Sequence, residues 1–158
     1  MFLKRYLNYH RIVKPLLLIS LIFGAIIFFL LQEPIHDAHR VDIPIYVNDI
    51  KLETMVVNTR ESRNLGLSNH SMLAHDEAML FVFDRVGMYP FWMKDMDFPI
   101  DIFWLNKDKQ VVFIQENASP NDYPESYNPK VYALYVVETV AGFSEKENIK
   151  IGSQFSWE

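Results

Sequence analysis

No charged residue occurs between Pro15 and Leu31, and only Ser20 and Gly24 interrupt that apolar run. About 17 residues at about 1.5 Å each reach about 25 Å, near the lower limit for crossing the hydrocarbon core of a bilayer. Ile12 and Val13 extend the apolar surface if Lys14 bends its ammonium back to water. Pro15 is tolerated in a first helical turn, and Glu33-Pro34 stops the helix, because a residue before proline disfavours helical geometry. Such a segment divides the chain. We expect a basic cytoplasmic segment at 1–14, a transmembrane helix or signal anchor at 15–31, a linker at 32–40 and a folded domain at 41–158. Lys4, Arg5, Arg11 and Lys14 are the only charged residues before Glu33. The positive-inside rule therefore puts the N-terminus in the cytoplasm and the domain outside it, in a periplasm or at the cell surface. The alternative is a cleaved signal peptide. That needs a shorter apolar core and small residues at the cut, whereas Ala38 is the one small side chain between Leu31 and Arg40. His36 and His39 lie in the linker, and two histidines without a third ligand make a poor zinc site.

The chain of 158 residues is 50% hydrophobic and 15% aromatic, too apolar for disorder and ample for one core. It has no cysteine, which excludes disulfides, thiolate nucleophiles and thiolate metal sites. From Arg40 onward there are 11 basic and 18 acidic residues, a balance of −7. An acidic body does not favour nucleic acid as a partner, because non-specific affinity for it comes from Lys and Arg neutralising phosphates.

Within the domain, Ile43–Val47 and Ile50–Val57 read as a hairpin joined by Asn48-Asp49, residue types that tolerate left-handed geometry. Thr59 to Leu67 reads as a short helix, with Thr59 as N-cap and Gly66 ending it. Ala78–Phe83 reads as a buried strand, and Asp84–Pro90 as a turn. Ile100–Leu105 and Val111–Gln115 are strands joined by Asn106–Lys109. Pro120, Pro124 and Pro129 make Asn117–Lys130 a long loop, of the kind that is usually functional. Val131–Val137 reads as a strand, Glu138–Asn148 as a short helix or turn, and Ser153–Trp157 as a last strand. We expect a mainly β (β-rich α+β) domain, a compact sandwich or partly closed barrel with one or two short helices.

Phe91-Trp92-Met93-Lys94-Asp95 interleaves rings and charges in a way that neither a core strand nor a solvated loop requires. Together with Gly66-Leu67, Leu73, Met79-Leu80-Phe81-Val82-Phe83, Pro99-Ile100-Asp101-Ile102 and Glu116-Asn117-Ala118-Ser119-Pro120, it follows the order of one pattern. That pattern resembles the prokaryotic family catalogued as domain of unknown function 192, over roughly Ile45 to Trp157. The resemblance implies a compact β-rich domain, often behind an export signal or anchor, and supplies no catalytic residues. His70 stands where the pattern usually has Arg, Ala78 where it has Gly, and Asp95 where it has Asn. The missing Arg weakens the case for an anion site there, and Asp95 sets a negative charge beside Lys94.

The candidate ligand-binding residues are Trp92, Lys94, Asp95, Asp101, Glu116 and Asn117, with the loop to Lys130. Trp92 offers a stacking face and Lys94 an anion contact, against the plainer readings of core packing and a salt bridge. Asp101 sits between two isoleucines, so it is either a cap on backbone N–H groups or a site acid. Asp101 and Glu116 near an aromatic shelf suit a glycan hydrolase, and equally a hard cation such as Ca²⁺. His70 and His75-Asp76 show no recurring ligand spacing, and Ser68, Ser71 and Ser119 lack a nucleophile-elbow context. No motif calls for a cofactor. No complete catalytic constellation is visible, so the reading leans away from an enzyme. It favours a membrane-tethered domain that binds an envelope glycan or envelope protein. The alternatives are an envelope hydrolase using Asp101 and Glu116, or a structural role with no ligand.

Overall fold

The computed structural model describes residues 41–158. The expected transmembrane helix, its basic flank and the linker lie outside the described residues. Among the described residues no helix is long and apolar enough to cross a membrane.

The hairpin of β1 (Val41–Val47) and β2 (Ile50–Val57) forms as its turn demands. Asn48 and Asp49 adopt φ of 46° and 66°, the paired left-handed geometry that matches the twist of a two-residue hairpin. β2 then pairs in parallel with β3 (Glu77–Gly87), and a parallel pair needs a long crossover. That crossover carries α1 (Arg60–Leu65) across one face of the sheet. Thr59 caps α1 in a reciprocal box with Ser62, and Gly66 ends it at φ 53°. The remaining strands are β4 (Phe91–Trp92), β5 (Ile100–Leu105), β6 (Val111–Ala118), β7 (Ser126–Tyr127), β8 (Ala133–Val140) and β9 (Phe155–Ser156). The seven-stranded sheet runs β6-β5-β8-β3-β2-β1-β9, and β4 pairs separately with β7. The sheet curls until its ends meet. Gln110 bridges Gln154, and the Val111 N–H donates to the Ser153 carbonyl at 3.0 Å. The expected partly closed barrel is the form found.

Strand alternation sorts the core into two layers. Leu52, Leu80, Phe103 and Val137 point to one face, with Phe143 and Phe155. Met55, Met79, Phe81, Ile102, Trp104 and Val136 point to the other, beneath Leu67, Leu73 and Met93. Every residue of β5 is buried, because both of its faces are covered.

Three expectations change. β3 continues through the expected turn to Gly87. The Asn117–Lys130 stretch is not structureless, since it holds a 3-10 turn at Pro120–Asp122 and β7. β8 continues through Glu138 to Val140, so the expected helix at Glu138–Asn148 shrinks to α2 (Phe143–Lys146). There the pairing of β8 with β3 and β5 on both sides outweighs the helix-forming tendency of one Glu.

Asp101 joins three of these elements. Between the pairs Ile100–Ala118 and Ile102–Gln115, β5 advances two residues and β6 three, which marks a bulge. Asn117 sits in it at φ 50°, and its N–H donates to Asp101 at 2.8 Å. The other carboxylate oxygen accepts the N–H and Oγ–H of Ser144, in the first turn of α2, at 2.9 and 2.7 Å. Asp101 is fully buried, so its removal strands donors in a dry layer. Asp101→Ala is expected to cost about 3 kcal/mol or more in urea unfolding, and Asp101→Asn less. Equal midpoints for Asp101→Ala and the wild type would contradict this latch.

Candidate functional site

The block that stood out in the sequence behaves as a strand that alternates between core and solvent. Met93 is buried and Phe91 half-buried, while Trp92 and Lys94 point outward. The Phe91 ring meets Phe81 and Trp104 edge-on at 4.8 and 5.6 Å, which pins β4 over the sheet. The Trp104 indole N–H donates to the Tyr89 carbonyl at 2.8 Å and holds the approach to β4. Trp92 keeps 53% of its surface exposed and meets Tyr123 of the 117–130 loop edge-on at 6.3 Å. That loop is tied by the Tyr127 hydroxyl, which donates to Asp122. Burial, then that bond, push the Tyr127 phenol up to about 12. Lys94 stands 3.7 Å from Asp95 with both side chains exposed, a pair that contributes little and leaves the ammonium available.

Trp92 and Lys94 line a cavity of about 380 Å³ between α1, β3 and β4. Its aromatic wall includes Phe81, Phe83, Tyr89 and Phe91. Arg63 is held in place by the carbonyls of Asn58 and Val82 at 2.6 and 2.8 Å and lies over the Phe83 ring at 5.1 Å. Arg60 is exposed at the rim. The cavity also reaches Glu138 of β8. Glu138 lies opposite Met79 and Ile102 and is only 4% exposed. Among the described residues no basic group offsets its burial, which pushes its carboxyl up to about 8.

The six candidate residues separate into two groups. Trp92, Lys94 and Asp95 stay together, with the Tyr123–Tyr127 part of the loop beside Trp92. Asp101, Glu116 and Asn117 gather at the α2 end of β5, and Asp101 faces away from the cavity-side layer that holds Ile100 and Ile102. The neighbourhood of Asp101 and Glu116 expected from the hairpin is present, since Ser144 Oγ lies 2.7 Å from one and 3.2 Å from the other. Asp101 is engaged with three donors and has no exposed surface, which suits a cap rather than an acid that must meet substrate. His75 lies 2.7 Å from Glu147, and His70 has a buried Nδ1 with no hydrogen-bond partner. Among the described residues no group of three or more His, Asp or Glu side chains is placed to hold a metal ion.

Glu138 is the residue that sequence reasoning passed over. Its signal was the run Val136-Val137-Glu138-Thr139-Val140, where β-branched neighbours on both sides favour a strand over a helix. The ordinary carboxyl value is 4.5, so the folded protein holds a proton on Glu138 that the unfolded chain releases. The stability linked to it is full at low pH and is lost as pH rises through about 8. Glu138→Gln is therefore expected to gain on the wild type between about pH 5 and about pH 8, by at most about 1.4 kcal/mol per pH unit. Urea midpoints across that range measure it, and parallel profiles would refute the shift.

The fold has close counterparts among solved structures. A Sinorhizobium meliloti 1021 protein, provisionally assigned as a transcription regulator, aligns with a TM-score of 0.70 at 22% identity, over 74% of this chain and 94% of its own. A protein of unknown function from Novosphingobium aromaticivorans DSM 12444 aligns with a TM-score of 0.70 at 24% identity, over 79% and 90%. Likeness at this identity establishes a shared fold and nothing about activity. No curated protein matches the chain. The family model for DUF192, described as uncharacterized ACR, matches residues 44–157, and the chain belongs to that family.

Proposed function

We propose that this protein is a membrane-anchored domain outside the cytoplasm that binds an envelope ligand or partner without transforming it, through the cavity flanked by Trp92 and Lys94. The observation that carries the reading is the exposed face of Trp92 at the rim of a cavity of about 380 Å³. A large ring left half in water beside a concave aromatic surface is the usual make-up of a recognition site. Lys94 and Arg60 at the rim add an anion contact. The tether reading rests on the uncharged run at Pro15–Leu31 and the four basic residues before it. That topology makes an envelope glycan or a neighbouring envelope protein the target class. A nucleic-acid role is not taken over from the Sinorhizobium protein, because the acidic body disfavours phosphate.

Trp92→Ala is expected to weaken retention on isolated envelope material about tenfold, and Lys94→Ala a few-fold, with melting temperatures close to the wild type. Retention equal to the wild type, or unfolding of both variants, would count against the site. Protease added to spheroplasts is expected to digest the domain, and the membrane-extracted protein to begin at Met1. A protected domain would reverse the topology, and a start near His39 would replace the anchor with a cleaved signal.

A further inference from the structure

Among the described residues two acids are buried on opposite faces of the same sheet, and only one has partners. Asp101 accepts three hydrogen bonds. Glu138 is 4% exposed, has no hydrogen bond or ion pair among the described residues, and borders the cavity. A carboxyl that opens on a cavity without a protein partner keeps its hydrogen-bonding capacity for whatever enters there. Resting on the cavity as a ligand site, we propose that Glu138 is the anchor of a subsite for an ammonium group, so that the ligand is an amphipathic amine.

Two points favour a cation over a neutral hydrogen-bonding group. An ammonium–carboxylate pair recovers roughly twice what a neutral hydrogen bond does. The walls include the rings of Phe81, Phe91 and Trp92, a ring type whose face attracts positive charge, while Phe83 and Tyr89 stack on each other at 3.5 Å. The charged and titratable groups that share the cavity with Glu138 are Arg60 and Arg63 from α1, Tyr89 from the segment after β3, and Lys94 after β4. Arg63 is bound to backbone carbonyls and Tyr89 donates to the Arg85 carbonyl at 2.6 Å. Arg60 and Lys94 sit at the wet rim, where their repulsion of a buried ammonium is screened and where an acid group on the same ligand would meet them.

The chemistry couples binding to proton release. Glu138 is held neutral by burial, with its carboxyl at about 8, and must lose its proton to pair with the ammonium. Affinity for an amine therefore rises with pH, by up to tenfold per unit below about pH 8, and levels off above it.

The test is calorimetric titration of the full-length protein in neutral detergent with three ligands that share one ring: tryptamine, tryptophan and indole-3-propionate. Tryptamine and tryptophan are expected to bind, with indole-3-propionate at least tenfold weaker. Tryptamine affinity is expected to climb from about pH 6 to about pH 8 with about one proton released. Glu138→Gln is expected to lose tenfold or more for tryptamine and to lose the pH slope. Indole-3-propionate binding as tightly as tryptamine, or a flat pH profile in the wild type, would overturn the ammonium subsite and leave the cavity as a ligand site. Failure of all three to bind would overturn both. The wild-type pH profile needs no variant, so a Glu138→Gln protein that did not fold would leave the test intact.

Discussion

Both faces of the central strands are covered, and this constraint governs the rest of the structure. β5 is buried along its whole length, with Phe103 and Leu105 in one layer and Ile102 and Trp104 in the other. A half-solvated antiparallel sheet would tolerate polar residues on alternate positions. Here an acid in the buried stretch of β5 or β8 enters an apolar layer and must find a partner or remain without one. Asp101 and Glu138 are the two outcomes of that rule.

The two acids differ because their layers are built differently. On Asp101's face, the β6 bulge and the first turn of α2 both present backbone N–H groups that strand and helix geometry leave unpaired. One carboxylate satisfies them and is satisfied in return. On Glu138's face, the cover is α1 and the β4 segment, which offer mostly rings and leave a cavity instead of a donor. An acid that closes a polar account in one layer therefore keeps an open valence in the other. Site chemistry and structural chemistry are separated by strand parity alone.

The cover over the cavity follows from topology. The parallel β2–β3 pair forces a crossover, and that crossover lays α1 across the face that the Phe-Trp-Met-Lys segment also covers. Phe91 and Met93 anchor the segment, so Trp92 and Lys94 are held outward by packing. The pairing of β4 with β7 brings the proline-rich loop to the same rim. The second layer owes its form to residues separated by tens of positions in the chain.

Local chemistry made much of the fold legible in the sequence. The Asn48-Asp49 turn, the Thr59 cap and Gly66 stop, and the Ile100–Leu105 hairpin formed as read, because each depends on neighbours within a few residues. The closeness of Asp101 to Glu116 was also legible, since hairpin pairing places them together. The sequence alone determined a β-rich domain and singled out Trp92 and Lys94, while the packing of Phe91 and Met93 decided that they face outward. It did not reveal that Asp101 would meet Ser144, 43 positions away, or that β8 would run on through Glu138. Only the tertiary structure decided which buried acid has partners. The reason is that a strand's own residues set which side a carboxylate leaves from, while distant elements set what waits there.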